Sequence, residues 1–155
     1  MQKQIKKTAN AGFTLIEILV VIGMIALLAA IVIVAINPAR QFAQGRDTQR
    51  TSNVNAILNA IGQRMADNKG IFEGTDGASG NNCGPIPTSP LTISWDGSAA
   101  TTTENTFGCL VPTYISAELH DPNGADYKVE KDSATGRITV SAPAAEITKP
   151  ISITR

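Results

Sequence analysis

From Phe13 to Ile36 every residue except Thr14 and Glu17 is apolar or glycine. A run this long with no polar face predicts a helix that is apolar on all sides. At about 1.5 Å per residue it extends about 36 Å, enough to cross a hydrocarbon core of about 30 Å with some tilt. Asn37-Pro38 interrupts it. Proline has no amide hydrogen and clashes with the carbonyl four residues back, that of Val34, which bends or breaks a helix. Equally, Asn37 is a good N-cap and Pro38 a good first residue for a new helix. From Ala39 to Asn68 the pattern is amphipathic, with Val54, Ile57, Leu58, Ile61 and Met65 drawing one apolar stripe at spacings of three and four. Arg46, Asp47, Arg50, Asn53 and Arg64 mostly fall off that stripe, which is expected to cover the domain's own core. Lys69-Gly70 supplies a cation and a glycine suited to a helix end. Unbroken from Phe13 to Lys69, such a rod would be about 85 Å long.

After Gly70 the pattern changes. Residues 70–90 are rich in Gly, Asn, Ser and Pro and read as loop. Strand signals follow over Leu91 to Trp95, Tyr127 to Lys131, Arg137 to Ala142 and Ile147 to Thr154. Tyr127/Val129 and Ile138/Val140 alternate at period two around Asp132-Ser133-Ala134-Thr135-Gly136, which predicts an antiparallel hairpin. Pro150 confines the last segment to an edge strand or a loose tail. Leu110 to Ile115 predicts a short helix or turn, stopped by Asp121-Pro122-Asn123-Gly124. The expected fold is α+β. A long N-terminal helix, transmembrane over 13–36 and amphipathic over 37–69, packs on a small antiparallel sheet within 70–155.

The segment ahead of the apolar run, Met1 to Gly12, carries Lys3, Lys6 and Lys7 and no acid. A secretory signal places its cleavage site beyond a shorter apolar core. Here the small residue, Gly12, precedes the core, so a cut there leaves the hydrophobic segment on the mature chain. The combination of basic leader, Gly12-Phe13 junction, Glu17 and spanning segment resembles the class III signal of type IV prepilins and of type II secretion pseudopilins. The resemblance implies removal of residues 1–12 by a membrane-embedded prepilin peptidase and methylation of the new terminus, Phe13. It also implies a pilin-like fold, and loss of helical order between Asn37 and Gly45 when the chain packs in a filament. The competing reading is a simple signal anchor with Ala29-Ala30 as a signal-peptidase site.

The leader lysines favour a cytoplasmic N-terminus, with everything after Asn37 on the opposite side. Glu17 is costly, since a charge at the bilayer centre is disfavoured by about 3 kcal/mol, less near an end. No basic residue lies between Phe13 and Ile36 to pair with it. The available cation is the amine exposed by cutting after Gly12, either this subunit's own or a neighbour's. The family resemblance implies the neighbour's, so that Glu17 selects and registers incoming subunits; without it, Glu17 simply snorkels to the interface. Gly23, Ala26, Ala29 and Ala30 are candidates for close helix packing.

The chain has 155 residues and a formal net charge of zero; without the three leader lysines the remainder stands at −3. That balance indicates no dedicated nucleic-acid surface, and the length suits one globular domain plus an anchor. The two cysteines, Cys83 and Cys109, both fall in the exported part, where an even count predicts a disulfide rather than two buried thiols. No CxxC pair or Cys/His cluster suggests zinc.

Catalytic signals are weak. His120 is the only histidine and sits beside Asp121 in a turn-rich region. No G-x-S-x-G stretch accompanies it, so a solvated turn histidine is expected. Asp121, Asn123 and Asp126 superficially resemble a calcium loop. Ala125 replaces its sixth-position glycine, however, and Asp132 its final glutamate, so no metal is assigned. Thr101-Thr102-Thr103 reads as polar loop.

The expectation is therefore a structural protein without cofactor or catalytic residues. By resemblance it is a type IV pilus subunit, inserted in the cytoplasmic membrane and drawn by an assembly platform and its ATPase into a helical homopolymer at the cell surface. The long Gly/Ser/Thr loop and the cysteine pair favour a pilus. The alternatives are a pseudopilin of a secretion or DNA-uptake system, and an anchored binding protein that never polymerises.

Overall fold

The computed structural model describes residues 12–77, 80–96, 104–147 and 150–155. The leader lysines and the threonine triplet Thr101–Thr103 lie outside the described residues. The chain divides into two units, Met1–Arg40 and Gln41–Arg155.

In the first unit, helix α1 runs from Leu15 to Ala35. Thr14 caps it: the Thr14 backbone is extended and its hydroxyl accepts the Glu17 amide hydrogen at 3.2 Å. Threonine three positions before glutamate is the capping-box spacing, and its hydroxyl satisfies one of the orphan donors of a helix start. No α1 residue is buried in this chain, although the helix is apolar on all sides. The helix is long and apolar enough to cross a membrane. Ile36 ends it in extended conformation (φ −98°, ψ 126°). Asn37 Oδ1 then accepts the Arg40 amide hydrogen at 3.2 Å, and Pro38 opens helix α2, Pro38–Asp67. Of the two readings of Asn37-Pro38, the capped new helix is the one adopted, so the unbroken rod from Phe13 to Lys69 is replaced by two helices. Pro38 to Gly45 is helical in this single chain.

The second unit contains most of α2 and two sheets. The expected stripe is the core face: Val54, Ile57, Leu58 and Ile61 are buried, and Met65 packs at the margin. The polar expectation fails at three positions, because Asp47, Arg50 and Arg64 are buried too. Helix α2 ends at Asp67, two residues before the cation expected to close it. Lys69 itself takes the left-handed conformation (φ 57°), and the Gly70 amide donates back to the Met65 carbonyl at 2.7 Å. This is the Schellman arrangement, with glycine one place later than usual.

Residues 70–90 are not all loop. Strands β1 (Gly74–Thr75) and β2 (Asn82–Cys83) pair antiparallel there. The main sheet contains β3 (Leu91–Ser94), β4 (Glu104–Thr106), β5 (Lys128–Lys131), β6 (Ile138–Ala142) and β7 (Ile151–Thr154), in the order β4-β3-β5-β6-β7. The expected hairpin is β5–β6, with Val129 opposite Val140 and Lys131 opposite Ile138. Tyr127, Val129, Ile138 and Val140 all face the core. The last strand starts after Pro150 rather than at Ile147, and it is an edge. Strand β4, unforeseen in the sequence, joins β3 in parallel, so the sheet is mixed. A 3-10 helix, Gly108–Leu110, precedes turns at 111–114, where the Val111–Pro112 peptide is cis. Phe107 and Phe72 meet at 4.8 Å between ring centroids, beneath the β1–β2 ladder's bridge to Phe107.

Candidate processing site and a buried charge cluster

The N-terminal site consists of an exposed, non-helical Gly12-Phe13 followed at once by the Thr14 cap. Phe13 is 81 % exposed. A Cβ added at Gly12 would meet nothing within 4 Å, so packing does not demand glycine there. Glu17 stands in the first turn, where the positive end of the helix dipole favours a carboxylate. The cap and the acid are therefore one local device: Thr14 orients the turn that presents Glu17. A Cβ added at Gly23 would likewise meet nothing within 4 Å.

Cys83 on β2 and Cys109 in the 3-10 helix are joined as a disulfide, with Cα atoms 5.2 Å apart. Both are buried in the core. His120 is exposed, its Nε2 3.2 Å from Glu118 Oε2. In the Asp121 turn the Asn123 amide donates to Asp121 Oδ1 at 2.8 Å. Among the described residues no group of three or more His, Cys, Asp or Glu side chains is placed to hold a metal.

Asp121 is instead committed to Arg50. The guanidinium donates from Nε to Oδ2 at 2.6 Å and from Nη2 to Oδ1 at 2.9 Å, the two-pronged geometry that planar donors and carboxylates favour. Its Nη1 donates to Asp47 Oδ1 at 2.8 Å and to Glu146 Oε1 at 3.2 Å. Glu146 is gripped in turn by Arg46, with two bonds of 2.6 Å, and by Asn123 Nδ2 at 3.0 Å. Asp47 completes the cluster by accepting the backbone N–H groups of Glu146 and Ile147, at 2.9 and 2.8 Å. Two arginines and three carboxylates thus fasten α2 to the Asp121 turn and to the chain after β6.

The electrostatics follow from these bonds. Hydrogen bonding to Asp121 outweighs desolvation and raises the Arg50 pKa, while Arg50 holds the Asp121 carboxyl below its ordinary range. Arg46 lowers the Glu146 pKa to about 2. Nearby, the buried Tyr127 hydroxyl accepts from Asn53 Nδ2 at 2.9 Å, and burial raises its pKa. Arg64 is satisfied by the carbonyls of Phe72 (2.7 Å) and Gly74 (2.8 Å), which pins the segment before β1 to the helix.

The sequence did contain a signal for the cluster. Asp47, Arg50, Val54, Ile57, Ile61 and Arg64 continue one another at spacings of three and four, so the buried charges extend the apolar stripe instead of leaving it. Their burial runs counter to the usual placement of charged residues, so the pattern alone points to an apolar stripe.

No curated protein and no solved structure matches the chain. Residues 7–36 match the family model for the prokaryotic N-terminal methylation motif, which makes this stretch a class III prepilin signal.

Proposed function

We propose that this chain is the precursor of a structural subunit of a type IV pilus, cut after Gly12, methylated on Phe13 and polymerised through α1. The observation that carries the reading is the coincidence of the methylation motif with an all-apolar α1 that buries none of its own residues. The motif itself points to a structural, non-enzymatic role. Free space at Gly12 supports a glycine retained for recognition by a peptidase rather than for packing. In the membrane the lipid solvates α1; in a filament neighbouring copies take its place, and Glu17 meets an N-terminal amine. A prepilin peptidase, an assembly platform and its ATPase are the implied partners. The precursor spans the cytoplasmic membrane with its N-terminus inside, and the filament stands on the cell surface. A pseudopilin of a secretion or DNA-uptake system would use the same signal.

Mass spectrometry of the mature N-terminus tests the processing. The expected species begins with methylated Phe13; a start at Met1 or near Ile31 overturns it. Glu17→Ala tests assembly: normal filament yield from that variant would sink the polymerisation model.

A further inference from the structure

The main sheet has two edges, and they differ. At β4 the edge is covered. The Gly84 amide donates to the Thr106 carbonyl at 3.1 Å, the Thr106 hydroxyl reaches the Asn82 carbonyl, and Phe107 bridges Cys83. At β7 no described strand pairs on the side away from β6.

The ladder fixes which groups face out there. Ile138 and Arg155 exchange both of their backbone hydrogen bonds, at 2.7 and 2.9 Å. Facing residues of an antiparallel pair alternate between bonded and non-bonded, so Ile153 with Val140 and Ile151 with Ala142 bond likewise. The N–H and C=O groups of Ser152 and Thr154 therefore point away from β6. Both residues are exposed, and among the described residues nothing hydrogen-bonds to those groups.

Sheet edges are normally guarded by charge or proline. Ile-Ser-Ile-Thr carries no charge. Arg155, the charge beside it, is drawn onto Asn55 and Asn59 of α2. Pro150 holds the next outward position and has no amide to offer. That proline selects a register. A second β7, related by a two-fold axis through Ile153, sets Ser152 of each copy against Thr154 of the other. Every outward N–H then meets an outward carbonyl. Moving the axis to Ile151 or Ser152 brings Pro150 opposite an outward residue and loses bonds. With the axis at Ile153, that side chain faces its own counterpart, β-branched on β-branched. Ser152 and Thr154 extend the hydroxyl ladder that Thr139 and Thr154 begin at 2.7 Å.

We propose that β7 is a self-pairing edge, through which two copies of the second unit join into one continuous antiparallel sheet. The contact is isologous, so it closes after two copies, unlike an open polymer built through α1, and it does not rest on that polymer. With 4 residues a side it is short, and it forms where copies are concentrated.

The test uses the full chain in phosphatidylcholine vesicles at low and high protein-to-lipid ratio. Ile153→Cys, oxidised with copper phenanthroline, should give a covalent dimer at high ratio. Facing non-bonded residues lie about 4.5 Å apart at Cα, within disulfide reach. The native cysteines are already joined and buried, so they take no part. Thr139→Cys, one strand further in, should not cross-link. Ser152→Pro, added to Ile153→Cys, removes an outward amide without touching the β6 ladder and should abolish the dimer. No dimer from folded Ile153→Cys, equal cross-linking of Thr139→Cys, or a dimer that survives Ser152→Pro each overturns the pairing. Hydrogen exchange on the unsubstituted chain decides the matter without any variant. The Ser152 and Thr154 amides should exchange more slowly as the protein-to-lipid ratio rises, and unchanged rates overturn the proposal.

Discussion

Arg50 and Asp121, 71 residues apart in the chain, form a two-pronged ion pair whose guanidinium is completely buried. The pair joins the middle of α2 to the turn ahead of β5. Taking both charges out of water is compensated because Asp47 and Glu146 take up Nη1 and the Asn123 amide donates to Asp121 at 2.8 Å.

Arg50→Met should therefore destabilise the second unit by about 3–5 kcal/mol, since it leaves the buried Asp121 carboxylate without its cation. Urea unfolding followed by Trp95 fluorescence measures it. Arg50→Met combined with Asp121→Leu should recover part of the loss, because no buried carboxylate is then abandoned at that end.

The same cluster sets the acid limit. Asp121 and Glu146 both have folded-state pKa values below their ordinary 3.8 and 4.5, Glu146 reaching about 2. The unfolded chain then binds more protons than the folded one in that window, so stability falls as pH falls. Urea midpoints should be flat above about pH 5 and decline from there toward pH 2. Glu146→Gln should lower the plateau and shrink the acid decline, as its carboxylate no longer has a proton to take up.

The Cys83–Cys109 bond closes a loop of separation 26. Replacing both cysteines with serine should cost about 3–4 kcal/mol by the loop-entropy relation. Reduction of the intact protein should be slow in the absence of denaturant, since both sulfurs are buried. Thermal unfolding with and without reductant checks both statements.

Thr14→Ala removes the cap hydroxyl that holds the Glu17 amide. The expected cost is about 1 kcal/mol, confined to the first turn of α1. Hydrogen exchange should accelerate at Glu17 and Ile18 and stay unchanged at Val32. If Glu17 needs this turn to be presented, Thr14→Ala should also slow assembly, while Thr14→Ser should not.

Features whose physics is local were legible in the sequence. α1 follows from a run with no polar face, and the β5–β6 hairpin from strict alternation around a five-residue turn. Asn37-Pro38 was readable as an interruption but not as its kind, because a kink and a capped restart use the same two residues. The Arg40 amide bonded to Asn37 and the extended backbone of Ile36 distinguish them. Strand β4, Glu104-Asn105-Thr106, has no alternation and no large apolar residue; its pairing with β3 is dictated by the sheet, not by its own composition. β1 and β2, two residues each, carry no periodic signal at all. The charge cluster was hidden differently. Its spacing was visible on α2, but its partners Asp121 and Glu146 lie outside the helix and strand signals, so no local rule joined them.

Asp47 carries one more consequence. Its carboxylate holds the chain after β6 through the amide hydrogens of residues 146 and 147, and amide hydrogens are common to every amino acid but proline. The grip is therefore indifferent to the side chain it passes at Ile147, which is 45 % exposed. That position can be rewritten, with a charge, a tag attachment point or an epitope, while proline would remove the Ile147 half of the clasp and leave the Glu146 half. The surface at Ile147 is thus an editable face fastened from behind through its backbone.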